Sequence, residues 1–237
     1  MRAGTGHVID VVHVVVPARD EEQFLPRHLE SLRAAAGAVR RTHPAVTVRA
    51  TVVLDSCTDD SMGVVSRHPW VDVATVESGV VGEVRARGVT RAREQAVGAP
   101  AQGVWIACTD ADTVVPPNWL VAQLALAATG SELVVGTVLP DAADLPPPVL
   151  AAWEARHSLR EGHTHVHGAN MGFTLAAYDL VGGFEPVESG EDVRLVVRMQ
   201  QAAVAWSATA KTQVITSGRR LGRVDQGFSS YLMDLAP

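Results

Sequence analysis

The chain predicts an α/β fold built on a mostly parallel sheet, and three observations carry that expectation. Short β-branched runs alternate with stretches of helical periodicity, the pattern of strands joined by crossover helices. The first strand-like run, Val12 to Pro17, is apolar apart from His13, as a strand covered on both faces requires. Three successive runs stop at clustered acidic residues, and in open α/β sheets ligands sit beyond the carboxyl ends of strands.

After Val12 to Pro17 come Asp20, Glu21 and Glu22. A helix follows whose Leu25, Leu29 and Leu32 recur at intervals of three and four, with Pro26 tolerated in its first turn. Thr51 to Leu54 is a second strand, running into Asp55-Ser56-Cys57-Thr58-Asp59-Asp60-Ser61, a stretch of loop and N-cap composition. Val71 to Val76 is a third strand, Glu83 to Val97 an arginine-rich helix, and Val104 to Cys108 a fourth strand ending at Thr109-Asp110-Ala111-Asp112. Pro116-Pro117-Asn118-Trp119 opens another helix, Glu132 to Leu139 is a fifth strand, and Asp141 to Pro148 is a connecting loop. Beyond it the pattern predicts a helix over Val149 to Arg160, a His-rich segment, a turn at Gly182-Gly183 and a helix from Glu191 to Ala202. Ser217 to Phe228 is basic and receives no element. A length of 237 residues suits one domain, with residues 8–140 and 141–237 as its two halves.

Hydrophobic residues make up 47% of the chain against 19% charged, a globular balance. The net charge of -6 excludes an overall basic field for nucleic acid. It also means that an anionic substrate needs a metal ion or a local arginine cluster. Cys57 and Cys108 show neither zinc-ligand spacing nor a disulfide framework, which fits a reducing, cytoplasmic setting. Val11 to Val16 is too short for a bilayer span and lacks the features of a signal peptide, so no transmembrane segment is expected.

Asp110 and Asp112 stand two apart directly after a buried strand, so both carboxylates point the same way in extended backbone. They could share a hard divalent cation, Mn²⁺ or Mg²⁺, whose remaining ligands come from water and substrate phosphate. A solvated loop, or a cap for the helix at Pro116, is the competing reading. His163, His165 and His167 alternate, and on a strand would share one face. They are either metal or acceptor contacts or a half-exposed polar segment. Arg219, Arg220 and Arg223 form a basic patch that either meets a diphosphate, touches acidic lipid as a peripheral membrane contact, or is simply solvated. Trp105, Trp153 and Trp206 are expected in the core.

Four stretches in order carry a family resemblance: Val14-Val15-Val16-Pro17-Ala18-Arg19-Asp20-Glu21-Glu22, then Val53-Leu54-Asp55-Ser56-Cys57-Thr58-Asp59-Asp60-Ser61, then Thr109-Asp110-Ala111-Asp112, then Gly190-Glu191-Asp192. Together, over residues 10–205, they resemble family 2 glycosyltransferases of the GT-A fold. The resemblance implies transfer of a sugar from a UDP- or GDP-sugar to an acceptor hydroxyl. It puts Pro17, Ala18, Arg19, Glu21 and Glu22 around the nucleotide, with Glu21 or Glu22 near the ribose and Asp55 on the base. Arg85 and Arg87 would meet the diphosphate and sugar. Asp110, with Ala111 beside it, would meet ribose or donor sugar, and Asp112 the metal. Gly168, Ala169 and Asn170 resemble the family's small-residue acceptor loop. Glu191 and Asp192 correspond to the acidic pair on the acceptor side, Asp192 as catalytic base, and a histidine could add a metal ligand. The second motif lacks the more usual Asp-Asp-Gly-Ser-Thr-Asp, and no Gln-x-x-Arg-Trp occurs, which points to single rather than processive transfer.

The chemistry asks for the same groups. Breaking a sugar–phosphate bond leaves negative charge on the diphosphate, for a metal and arginines to absorb. A carboxylate must take the acceptor proton; Asp192 at a helix start serves that role or caps the helix. Two alternatives stand beside this reading, a nucleotidyltransferase of related fold and a non-catalytic nucleotide-sugar-binding module. Gly4-Thr5-Gly6 precedes the first strand and so forms no dinucleotide fingerprint, and no Walker-type loop or nucleophile elbow is present.

Overall fold

The computed structural model describes residues 6–157 and 159–219. One eight-stranded sheet runs through it: β1 Val11–Ala18, β2 Thr47–Asp55, β3 Asp72–Val76, β4 Val104–Cys108, β5 Thr113–Val114, β6 Leu133–Pro140, β7 Met171–Thr174 and β8 Trp206–Thr216, in the order β3-β2-β1-β4-β7-β6-β8-β5. β1 pairs parallel with β2 and β4, β2 with β3, and β6 with β8. β7 is antiparallel to both neighbours, and β5 to β8. The helices are α1 Leu25–Thr42, α2 Ser61–Ser66, α3 Val81–Gln95, α4 Trp119–Ala128, α5 Pro147–Arg156, α6 Leu175–Leu180 and α7 Glu191–Gln201.

Two cores lie on the two faces of the sheet, and β1 serves both. Val12, Val14 and Val16 pack with Leu25, Leu29 and Leu32 of α1 and with Trp119 and Leu120 of α4. Val15 points the other way, into the core formed with Val89 of α3, Phe173 of β7 and Leu195 of α7. Gly88 lets α3 sit directly on β1, because a Cβ there would stand 2.3 Å from Val15 Cγ1.

Of the sequence-based elements, the helix expected from Val149 runs Pro147–Arg156, since Pro147 suits a first helical turn. The segment 163–167 is not a strand, although its imidazoles still line up, with ring centroids 6.0 Å apart for His163 and His165 and 6.3 Å for His165 and His167. Trp105 and Trp153 are fully buried as expected, but Trp206, at the start of β8, is 44% exposed. No helix among the described residues is long and apolar enough to cross a membrane. Arg220 and Arg223 lie outside the described residues.

Candidate active site

The carboxyl ends of β1, β2 and β4 open into one cleft of about 530 Å³, closed on its other side by the 166–169 segment, the start of α7 and the end of β8. At the rim, the loops after β1 and β2 are clipped together. Asp20 and Ser56, both in left-handed backbone, turn the chain at the two strand ends. Asp20 Oδ1 accepts from the Thr58 and Asp59 amides at 2.6 and 3.3 Å. Glu22 is drawn into the same staple: its amide donates to Asp59 Oδ2 at 2.9 Å and its Oε2 accepts from the Asp60 amide at 2.8 Å. Glu22 therefore faces away from the cleft, whereas Pro17, Ala18, Arg19 and Glu21 line it.

Asp55 lines the cleft at the end of β2 and gathers the 78–79 loop, accepting from the Ser78 amide at 3.0 Å and from the Gly79 amide at 3.1 Å. Gly79 sits at φ 72, which a side chain would strain.

Arg85 is the centre of the site. The first turns of α3 carry it into the cleft wall, where it is 2% exposed. Its Nη2 donates to Asp110 Oδ1 at 2.6 Å and its Nε to Glu191 Oε1 at 2.9 Å. Burial opposes its charge, but Asp110 and Glu191 outweigh burial and raise its pKa. Burial also raises the pKa of Glu191, with Arg85 pulling the other way. The close approach of Gly168 completes the packing, for a Cβ there would meet Arg85 Nη2 at 2.5 Å. Arg87, two residues further along the helix, turns outward, is partly exposed and reaches Glu94 at 3.5 Å. It does not line the cleft.

Asp112 has its own cation. Arg219, from the segment after β8, places Nη2 3.1 Å from Asp112 Oδ2, while Glu21 accepts from its Nη1 and Nη2 at 2.7 and 2.6 Å. Thr216 donates to Asp112 Oδ1 at 3.1 Å. Burial pushes the Asp112 pKa up to about 6, against the pull of Arg219, with Asp110 and Glu21 adding repulsion. Glu21 thus faces a guanidinium, and its carboxylate is tied to the far end of the described chain.

On the opposite wall, Asp192 Oδ2 accepts from the Gly168 amide at 2.5 Å and Oδ1 from the Val193 amide at 2.7 Å. Gly190 supplies the left-handed residue, φ 72, that starts α7. Gly168 and Ala169 line the cleft, but Asn170 does not. It is 1% exposed and fully engaged in the core, donating to the carbonyls of Thr137 and Thr212 at 2.8 and 2.6 Å and accepting from Trp119 Nε1 at 2.8 Å. Asn170 is therefore a staple between β6, β8 and α4. His157 and His167 reach the cleft, and His157 stacks on Trp153 with centroids 4.2 Å apart. Burial holds His167 down to about 4, so its imidazole is neutral at ordinary pH. Sequence reasoning passed over Gly79, His157, Thr216 and Ser217 as lining residues; only the polar end of β8 could have signalled the last two.

A mostly parallel, curled sheet with helices on both faces and an acidic strand edge facing one cleft is the GT-A architecture of glycosyltransferases. The profile of glycosyl transferase family 2 matches residues 13–152, and the chain belongs to that family. No curated protein sequence matches it. Residues 1–349 of S. aureus TarS in complex with UDP share the fold at 16% identity and a TM-score of 0.63, over 87% of this chain and 60% of that one. GalNAc-T7 with UDP, GalNAc and Mn²⁺ does so at 12% identity and 0.65, over 91% and 46%. Mannosyltransferase PcManGT from Pyrobaculum calidifontis, with GDP-Man and Mn²⁺, does so at 16% and 0.62, over 94% and 61%. The chain therefore spans about three fifths of the TarS fragment's length.

Proposed function

We propose that this glycosyltransferase moves one hexosyl unit from a UDP- or GDP-sugar to an acceptor hydroxyl, using a divalent cation, Mn²⁺ or Mg²⁺, at Asp110 and Asp112. The observation that carries the reading is the placing of both strand-end aspartates against guanidinium groups in one cleft, Arg85 on Asp110 and Arg219 on Asp112. The cleft's volume lies in the range of about 300–1,000 Å³ typical of small-ligand sites. The UDP, GDP-Man and Mn²⁺ held by fold relatives support the same donor class.

The residues fit a divalent ion, since Asp112 already holds a cation in the form of the Arg219 guanidinium. Asp112 and Asp110 would hold the ion, with His167 facing the same cleft. Once bound, it neutralises charge on the departing diphosphate. Arg85 keeps Asp110 turned toward the donor and Asp55 presents an acceptor-only carboxylate to a base N–H, which uracil and guanine both offer. Asp192 accepts the acceptor's proton, its two backbone N–H donors fixing the carboxylate on the cleft wall. Residues 8–140 then serve the donor and 141–237, Arg219 excepted, the acceptor within one domain, with Gly168 and Ala169 as the acceptor loop. A cytoplasmic setting belongs to the same proposal, supported by two cysteines without a disulfide.

Thermal stabilisation by UDP and GDP, with and without Mn²⁺, followed by turnover of a donor panel, tests this. Stabilisation that needs metal, with sugar release or transfer, supports the reading. Stabilisation by a nucleoside triphosphate with pyrophosphate release would make the chain a nucleotidyltransferase, and binding with no turnover of any donor would make it a binding module.

A further inference from the structure

Arg219 is delivered to Asp112 by a tethered backbone. The Ser217 amide donates to the Asp112 carbonyl at 3.1 Å. Ser217 Oγ and the Gly218 amide both donate to Asp144 Oδ2, at 3.0 and 2.9 Å. From there the guanidinium spans Glu21 and Asp112 and lies over the Phe24 ring, 5.2 Å from its centroid. Its grip on Glu21 is a bidentate fork with both contacts under 3 Å; its grip on Asp112 is a single longer contact at 3.1 Å. Asp112 is thus the weaker of the two attachments.

A divalent ion and a guanidinium repel one another strongly if both sit against the same carboxylate oxygen in a water-poor cleft. We propose that Arg219 is the resident counter-ion of Asp112 and that a divalent ion displaces it, Glu21 retaining the guanidinium at the cleft wall so that it turns onto the incoming diphosphate. The inference rests on the reading of the cleft as a site for a nucleoside diphosphate with a divalent ion. Metal alone must take Asp112 from Arg219 and leave it only Glu21, whereas metal arriving with a diphosphate gives the displaced guanidinium a second anion in place of Asp112. Arg219 therefore couples the two ligands, each raising the affinity for the other.

The test is Mn²⁺ binding to the full chain without nucleotide, read from the electron paramagnetic resonance signal of the free ion. Wild type is compared with Arg219→Gln and with Glu21→Gln/Arg219→Gln, the double variant removing both charges of the part-buried pair so that a stranded Glu21 does not decide the result. Both variants are expected to bind Mn²⁺ alone about tenfold more tightly than wild type, and UDP or GDP in saturating Mn²⁺ about tenfold more weakly. Mn²⁺ affinity unchanged or reduced in both variants would overturn the proposal, since an arginine with a merely structural role weakens both ligands together. If wild type binds neither UDP nor GDP with Mn²⁺, the functional reading falls instead, and the comparison with Mn²⁺ alone still decides whether Arg219 and the ion compete.

Discussion

Arg85 and Glu191 form an ion pair 2.9 Å long, their side chains only 3% and 6% exposed, that joins α3 to the first residue of α7. The same guanidinium holds Asp110, so one side chain sets both the helix packing and the orientation of a site carboxylate. Breaking a buried pair by altering one partner costs about 3–5 kcal/mol. Arg85→Lys, whose ammonium cannot reproduce the planar fork, is expected to lose about 3 kcal/mol in urea unfolding and at least about tenfold in turnover. Glu191→Gln leaves an oxygen for Nε and should cost less. Wild-type stability in Arg85→Lys would show that the pair contributes nothing to the fold.

Asp112→Ala is expected to abolish sugar transfer and the metal-dependent part of nucleotide binding, while the circular-dichroism spectrum stays native. The side chain is held by Thr216 and Arg219 at the cleft wall and packs into neither apolar core, so its removal leaves both cores in place. Retained metal-dependent nucleotide affinity would refute its role.

Asp192→Asn keeps a group able to accept from the Gly168 amide but has no carboxylate to take a proton. Turnover should fall by about 10² or more, with donor affinity within about threefold of wild type. Equal loss of both would make Asp192 a positioning residue for the 166–169 segment.

Asn170→Ala removes three buried hydrogen bonds and strands the Thr137 and Thr212 carbonyls and the Trp119 indole. A loss of about 2–4 kcal/mol is expected in denaturant melts, with acceptor KM unchanged in what remains folded. A raised KM without lost stability would return Asn170 to the acceptor site.

Stability should fall on mild acidification because His13 and His28 are buried in neutral form. Burial lowers both from 6.5 to about 4; Arg49 and Arg91 also lower His13 while Asp72 raises it, and the Thr113 carbonyl and Asp110 raise His28. A folded pKa below the unfolded one means that the unfolded chain binds the extra proton, so stability is complete above pH 6.5 and drains away between 6.5 and 4. At pH 5 each histidine should cost about 2 kcal/mol relative to pH 7.5. Urea midpoints at the two pH values measure this. A flat profile would show that one or both imidazoles gain a proton without unfolding.

The strand ends were legible because parallel strands buried on both faces leave unbroken apolar runs, and Asp55, Asp110 and Asp112 follow directly from where those runs stop. What was not legible depends on direction rather than position. Glu21 and Glu22 are adjacent, and only the loop staple sends one inward and the other toward Asp60. Arg85 and Arg87 share a helix, but two residues of helical rotation separate the cleft side from solvent. Asn170 follows two cleft residues yet directly precedes a core strand, β7, with its side chain turned into the core. β8 escaped notice because Thr, Lys and Gln interrupt its apolar positions and its burial alternates, so no continuous run marks it. Its partner β6 lies some seventy positions earlier, beyond the reach of local pattern.

Glu21 and Arg219 are separated by 198 positions in the chain. During synthesis the first β-strands emerge long before the residue that finishes the pocket they begin. A nascent polypeptide halted between positions 112 and 219 would carry Asp55, Asp110 and Asp112 and still leave Glu21 without the Arg219 guanidinium, so the cleft that β1 begins takes its final form only once position 219 has emerged.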